Sequence, residues 1–376
     1  MLKKVPLHIW TASGLCVAAA ALIIILAGIF LEPRTPEPLY PGKGVTDTFM
    51  LSQYLPALKG TQGDTEVYVL DSGVPGASML VLGGTHPNEP SGVVSAFMLV
   101  EYCQPKSGVL YVIPRANNSA FTCTDPQEAA PFTFTLPTRN GERWFRFGSR
   151  ATNPVDQWPD SEVYIHRSSG QQLSGSETRN LNRGYPGVAD GTLTERIAYA
   201  ITEMIKDRKI SITVDLHEAS PEYTTVNAMV VHERAYDLAA ISLWEVEDFM
   251  KITIESSPQN LHGLTHRELG DATDTLAILM ETANASQGRL HGRIDADLVV
   301  SGKDKFYTRA DAYGAVTVPY GEEGISIHER CARHLTCIVA FANNYMGEDG
   351  FLDLGDMPSY DDIIRNGIGY YLSDPQ

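Results

Sequence analysis

The stretch SMLVLGGTHPNEPSG (Ser78–Gly92) constrains this chain more than any other. Its apolar run Met79–Leu82 reads as a short buried strand, and Gly83 and Gly84 let the backbone turn tightly after it. His86 and Glu89 follow three residues apart, and Pro90 with Ser91 reads as a turn opening a helix. A strand that ends in a loop carrying a His and a Glu is half of a metal site, so the rest of the chain has to supply the other half.

Two further apolar runs do so. ITVDL (Ile212–Leu216) reads as a strand ending on His217, and TLAILM (Thr275–Met280) as one ending on Glu281. In open α/β sheets the ligand crevice lies beyond the carboxyl ends of the strands, where these side chains can converge. Two His and one carboxylate form a ligand set for catalytic zinc, with a fourth position for water. A further carboxylate beside that water serves as general base. Singly each signal is weak, because a His after a buried strand is commonly a hydrogen-bonded structural residue. Other histidines organise less well. His262 and His266 have i,i+4 spacing, but Gly263 between them weakens a helix, and His232 and His328 read as element ends.

Strands are also expected at EVYVL (Glu66–Leu70), VLYVI (Val109–Ile113) and VNAMVV (Val226–Val231). Helices are expected at Gly92–Cys103, Leu193–Asp207, Tyr236–Met250 and Ile325–Tyr345. This alternation indicates an α/β sheet. Between them, Pro114–Pro186 is polar and rich in Gly, Pro and Asn with little periodicity. Its Arg143, Arg146, Arg150 and Arg167 suggest a carboxylate-binding rim. With 376 residues, 43% of them hydrophobic, the chain can bury a sizeable core, and its net charge of −17 argues against nucleic-acid binding.

The N-terminus reads differently. Ile9–Leu31 is an uncharged apolar run of 23 residues, long enough to span a bilayer, and Lys3 and Lys4 before it leave the N-terminus cytoplasmic. The competing reading, a cleaved secretory signal, lacks a clear small-x-small cleavage site. This predicts residues 1–8 cytoplasmic, 9–31 transmembrane, 32–46 a Pro-rich linker, 47–346 one extracytoplasmic domain, and 347–376 a peripheral acidic tail. Of the five cysteines Cys16 lies in the span, and the other four allow disulfides in an oxidising compartment.

GTHPNEPSG, NLNRGYPG, VDLHEA and ILMET, in this order, resemble the zinc carboxypeptidase superfamily, and within it the succinylglutamate desuccinylase/aspartoacylase branch. The likeness covers roughly residues 60–345. Pro87 stands where the family's GxHGNE has Gly, and the DLNR motif appears as Asn180-Leu181-Asn182-Arg183. The resemblance implies one α/β domain with a mixed, largely parallel central sheet flanked by helices. It implies that His86, Glu89 and His217 hold one Zn²⁺ per chain and that Glu281 moves the proton. Asn182 and Arg183 would bind the substrate carboxylate. An arginine in RWFRFGSR, Arg150 ahead of Arg146, would stabilise the oxyanion. Glu218 ranks below Glu281 as base, because adjacent strand residues point to opposite faces. The expected function is hydrolysis of C–N amide bonds in N-acyl amino acids or short peptides with a free carboxylate. The alternatives are a metallocarboxypeptidase and a noncatalytic peptide receptor on the same fold.

Overall fold

We describe the chain from a computed structural model covering residues 6–125 and 128–373; Lys3 and Lys4, which set the expected orientation of the first helix, lie outside the described residues. The chain divides into two compact units, Met1–Glu37 and Pro38–Gln376. In the first, α1 (Leu7–Leu31) is one helix of 25 residues, none of them buried. It is long and apolar enough to cross a membrane, a property that anchors and signal sequences share.

The second unit begins with β1 (Asp47–Met50), β2 (Glu66–Asp71) and β3 (Ser78–Leu82), followed by α2 (Pro90–Tyr102) and β4 (Val109–Ile113). Two hairpins come next, β5 (Thr133–Thr138) with β6 (Gly141–Arg146) and β7 (Val163–Ile165) with β8 (Gln172–Ser174). Then follow α3 (Leu193–Arg208), β9 (Ile212–Ala219), β10 (Ala228–Val231), α4 (Tyr236–Val246), β11 (Thr253–Ser256), α5 (Thr265–Ala272) and β12 (Leu276–Ala283). Helices α6 (Ala296–Ser301), α7 (Lys305–Ala312), α8 (Ile327–Asn344) and α9 (Tyr360–Asn366) complete it.

Eight strands form one sheet in the order β1-β2-β4-β3-β9-β12-β10-β11. The central run β4-β3-β9-β12 is parallel throughout, while β1–β2, β2–β4 and β12–β10 are antiparallel. The fold is therefore α/β with a mixed sheet, parallel where both faces are covered. Strand alternation sorts the core. Met79, Val81, Ile212, Val214 and Leu216 face the side packed by α2 and α8, whereas Leu80, Leu82 and Ala277 face the side packed by α3. Helix α3 starts at Thr192, whose hydroxyl accepts from the Glu195 N–H while Glu195 returns a bond to the Thr192 N–H.

Two expectations change. The polar stretch 114–186 contains two hairpins, because β5 and β6 alternate and bury Phe134, Leu136 and Phe145. The segment after Gly347 is not peripheral. Leu352, Leu354, Ile363, Ile368, Tyr371 and Leu372 are buried in the same core as α2 and α8, while Phe351, Ile364 and Tyr370 are left to solvent. No disulfide forms among the described residues, and Cys103, Cys331 and Cys337 are buried as free thiols.

A buried ion pair closes this unit. Arg143 on β6 donates both Nη atoms to Glu101 on α2, each at 2.7 Å. The same carboxylate accepts the N–H groups of Tyr40 and Ser373, and Arg143 also reaches the carbonyls of Pro38 and Ser373. Arg143→Met leaves the Glu101 carboxylate buried and uncompensated, and should lower unfolding stability by about 3–5 kcal/mol in urea titration. Replacing Glu101 by Gln in that variant should restore part of the loss.

Candidate metal centre

The Gly83–Gly84 turn works as expected. Gly84 has φ +66°, and a Cβ there would lie 2.6 Å from the Phe121 ring. The turn throws His86 and Glu89 back over the end of β3. Glu89 occupies the N-cap position of α2, yet its side chain caps nothing. Both of its oxygens are turned to histidines, Oε1 at 2.8 Å from His86 Nδ1 and Oε2 at 2.8 Å from His217 Nδ1. Helix α2 comes close enough for this because of Gly92, where a Cβ would lie 2.6 Å from the Leu216 carbonyl oxygen. All three side chains are buried.

The outer ring nitrogens fix the tautomers. His217 Nε2 donates to Asp215 Oδ2 at 2.8 Å, and His86 Nε2 donates to Asn180 Oδ1 at 2.8 Å. Both Nδ1 lone pairs therefore face inward, 3.2 Å apart and against the Glu89 carboxylate. Such a cluster of electron pairs calls for a cation, and adjacent ligands on zinc are separated by about 3.3 Å. Arg150 already leans on it, with Nη1 3.2 Å from Glu89 Oε1 and 3.4 Å from His86 Nδ1. The group is consistent with a zinc site.

The local field has the same sense. Burial disfavours charge on His217, but Asp215 and Glu89 outweigh it and hold its pKa well above the usual imidazole value. Burial likewise disfavours a charged Glu89, yet His86 and His217 hold its carboxyl well below the ordinary range. His86 is pushed down by burial and by Arg150. The carboxylates thus favour positive charge at His217, while burial and Arg150 oppose it at His86.

Glu281 lies inside β12 rather than at its end, in register with His217 on β9, so the two side chains share a sheet face. Its side chain is only partly covered, but Oε2 is buried without a hydrogen-bond partner. Burial pushes its carboxyl up to about 8, close to where a group both takes and gives a proton near neutrality. Glu218 points the other way. It is fully buried against Arg330 of α8, Oε1 to Nη1 at 2.5 Å, and only its backbone N–H reaches the site, at Glu89 Oε2.

Asn182 accepts the N–H of Thr265 at the start of α5. Arg183 is tied to the Asn182 carbonyl, and burial together with Arg150 lowers its pKa. The expected arginine rim does not form. Arg143 is locked to Glu101, Arg146 lies buried over the Phe121 ring at 4.8 Å, and Arg167 pairs with Asp190 at the surface. Arg150 alone of the four reaches the triad. Its loop is fitted around Pro87, since a Cβ at Gly148 would lie 2.4 Å from the Pro87 Cβ.

Sequence reasoning assigned no role to Asp215, Asn180 or Thr265. Asp215 was legible, because residues two apart on a strand share a face and it precedes His217 by two. Thr265 donates to Asp215 at 2.5 Å across a separation of 50 residues, which no local pattern announces. A second group, His166, His262 and Glu268, also lies close together. Its imidazole planes are stacked at 22°, so they do not aim at one point, and its nitrogens bond Ser169, the Tyr185 carbonyl and Glu268. Beside Arg150 and Asn180 opens a cleft of about 760 Å³, lined also by Asn88, Tyr223 and Arg289. A larger hollow of about 960 Å³ lies at the other end of the strands, by Ser211 and Leu276, away from the triad.

No family model and no curated protein matches the chain. Among solved structures it is similar to an aspartoacylase family protein from Mesorhizobium loti, at 15% identity and TM-score 0.39, covering 82% of this chain and 71% of that one. It is similar to a succinylglutamate desuccinylase from Silicibacter sp., at 13% identity and TM-score 0.40, covering 86% and 74%. A metallo-carboxypeptidase from Burkholderia cenocepacia matches at 11% identity and TM-score 0.39, covering 69% and 60%.

If Asp215 holds the tautomer of His217, Asp215→Asn should weaken zinc binding by about 10–100-fold in competition with a chelator. The metal-free protein should remain folded by circular dichroism.

Proposed function

We propose that the chain is a zinc-dependent hydrolase of C–N amide bonds adjacent to a free carboxylate, acting on N-acyl amino acids or short peptides. The observation that carries this reading is the buried His86–Glu89–His217 group, with every outer nitrogen already committed and the orphaned Glu281 Oε2 on the same sheet face. Zinc held by these three residues would act as a Lewis acid and lower the pKa of bound water towards ~7.

The remaining roles belong to the chain. Glu281, its carboxyl raised by burial, takes a proton from the attacking water and passes it to the leaving amine. Arg150 sits on the open side of Glu89, where its guanidinium can meet the negative charge developing on the carbonyl oxygen. Arg183, braced by the Asn182 carbonyl, offers its fork to the substrate carboxylate, and Asn182 positions it through its bond to α5. The cleft of about 760 Å³ beside Arg150 has room for more than a small acyl group, which favours short peptides within this class.

The N-terminal helix supports a membrane-anchored protein with its catalytic domain on the extracytoplasmic side, following the Lys3–Lys4 pair. In a protease-protection assay on sealed cells the domain should be accessible from outside and remain membrane-bound; a cytoplasmic or freely secreted domain would refute this topology.

Metal analysis of the purified chain should find one zinc, removable by chelator with loss of amide hydrolysis. Glu281→Gln should keep that zinc and lose at least about 100-fold in kcat. Arg183→Ala should raise KM for carboxylate substrates and leave their amidated counterparts little changed.

A further inference from the structure

We propose that Glu177 is a positioning residue of this centre, orienting Asn180 against His86 and steadying Arg183 with the same carboxylate oxygen. The inference rests on the metal reading of His86. Glu177 lies on the single turn Gly175–Arg179, immediately before the Asn180–Arg183 motif, and lines the cleft. Its Oε2 accepts from Asn180 Nδ2 at 2.7 Å and lies 3.7 Å from Arg183 Nε.

The first contact decides how the Asn180 amide points. Asn180 Oδ1 accepts two donors, His86 Nε2 at 2.8 Å and the Asn182 N–H at 3.0 Å. Flipping the amide would set its NH₂ against two donors and its oxygen against the Glu177 carboxylate, so Glu177 holds the one orientation that satisfies all four groups. That orientation keeps the proton of His86 on Nε2 and its lone pair on Nδ1, facing Glu89. The two histidines are therefore backed differently. His217 rests directly on the carboxylate of Asp215, while His86 rests on a neutral amide whose charge stands one residue further out, on Glu177.

The second contact is too long for a hydrogen bond. Glu177 steadies Arg183 by charge alone and opposes the repulsion of Arg150, taking up none of its guanidinium donors. One oxygen thus sets the metal ligand and the carboxylate-binding arginine together. A carboxylate at position 180 would serve His86 equally well but would press against Glu177, which makes the two positions interdependent.

Zinc affinity of the full-length chain, by chelator competition, tests this in a double-mutant cycle. Glu177→Gln should weaken zinc by about tenfold, and Asn180→Asp in the presence of Glu177 should do the same. In the double variant the carboxylate is transferred to position 180, and affinity should return to within about threefold of wild type. On carboxylate substrates, Glu177→Gln should raise KM by more than it lowers kcat, as loss of the Arg183 tether requires. Additive losses in the cycle, or an unchanged affinity in Glu177→Gln, overturn the proposal while leaving the metal centre intact. A wild-type chain that binds no zinc sinks the metal reading itself, and this inference with it. Thermal unfolding of the metal-free variants separates these outcomes from misfolding, and all three should melt with the wild type.

Discussion

The Glu89 carboxylate is the interaction on which the rest of the structure depends. It is buried, its two oxygens each lie 2.8 Å from the inward nitrogen of one histidine, and it accepts the Glu218 N–H and the Arg150 guanidinium. Taking a carboxylate out of water is unfavourable by several kcal/mol unless its lone pairs are satisfied by charged or hydrogen-bonding partners. Those partners come from the β3 loop, from β9 and from the loop beyond β6. The carboxylate can therefore be buried only when all three have reached their native positions.

The sheet sends two carboxylates on neighbouring strands, Glu218 on β9 and Glu281 on β12, to opposite fates. His217 and Glu218 are consecutive on β9, and alternation sends one to the site and the other to α8. Glu218 finds Arg330 and Asn284 there, and its charge is neutralised away from the triad. Glu281, aligned with His217, has no such cation bonded to its Oε2 and is left with a raised affinity for protons. The same residue type is thus held as a paired anion or left with an unpartnered oxygen according to which face of the sheet it occupies.

The outer layer is asymmetric in a way that matters chemically. Asp215 is itself fixed by Thr85 and Thr265, so the charge behind His217 is held from two directions. Behind His86 the charge is displaced onto Glu177, within reach of Arg183. His86 and Arg183 are consequently joined through one turn, and the cleft beside Arg150 opens along that turn.

Local pattern was sufficient for much of this. The runs at 78–82, 109–113, 212–216 and 275–280 are strands because a stretch of that length dominated by apolar residues is stable only when buried on both faces. The strands β9 and β12 run on past His217 and Glu281, since their backbones pair with each other to Ala219 and Ala283, a partnership visible only in the sheet. Four arginines in one polar stretch looked alike. Burial and the chance of a carboxylate or ring opposite each one sent three to structural tasks and left Arg150 at the centre. The acidic C-terminal segment looked peripheral because carboxylates dominate its charges, yet several of the apolar residues between them fall where they complete the core under α8. By itself the sequence determined the α/β class, the strands that carry His217 and Glu281, and the turn after β3 that carries His86 and Glu89, because each is set by local backbone and periodicity. Only the tertiary structure decided how those four converge, which nitrogen of each histidine faces inward and which arginine joins them, because these depend on contacts between segments tens to more than a hundred residues apart.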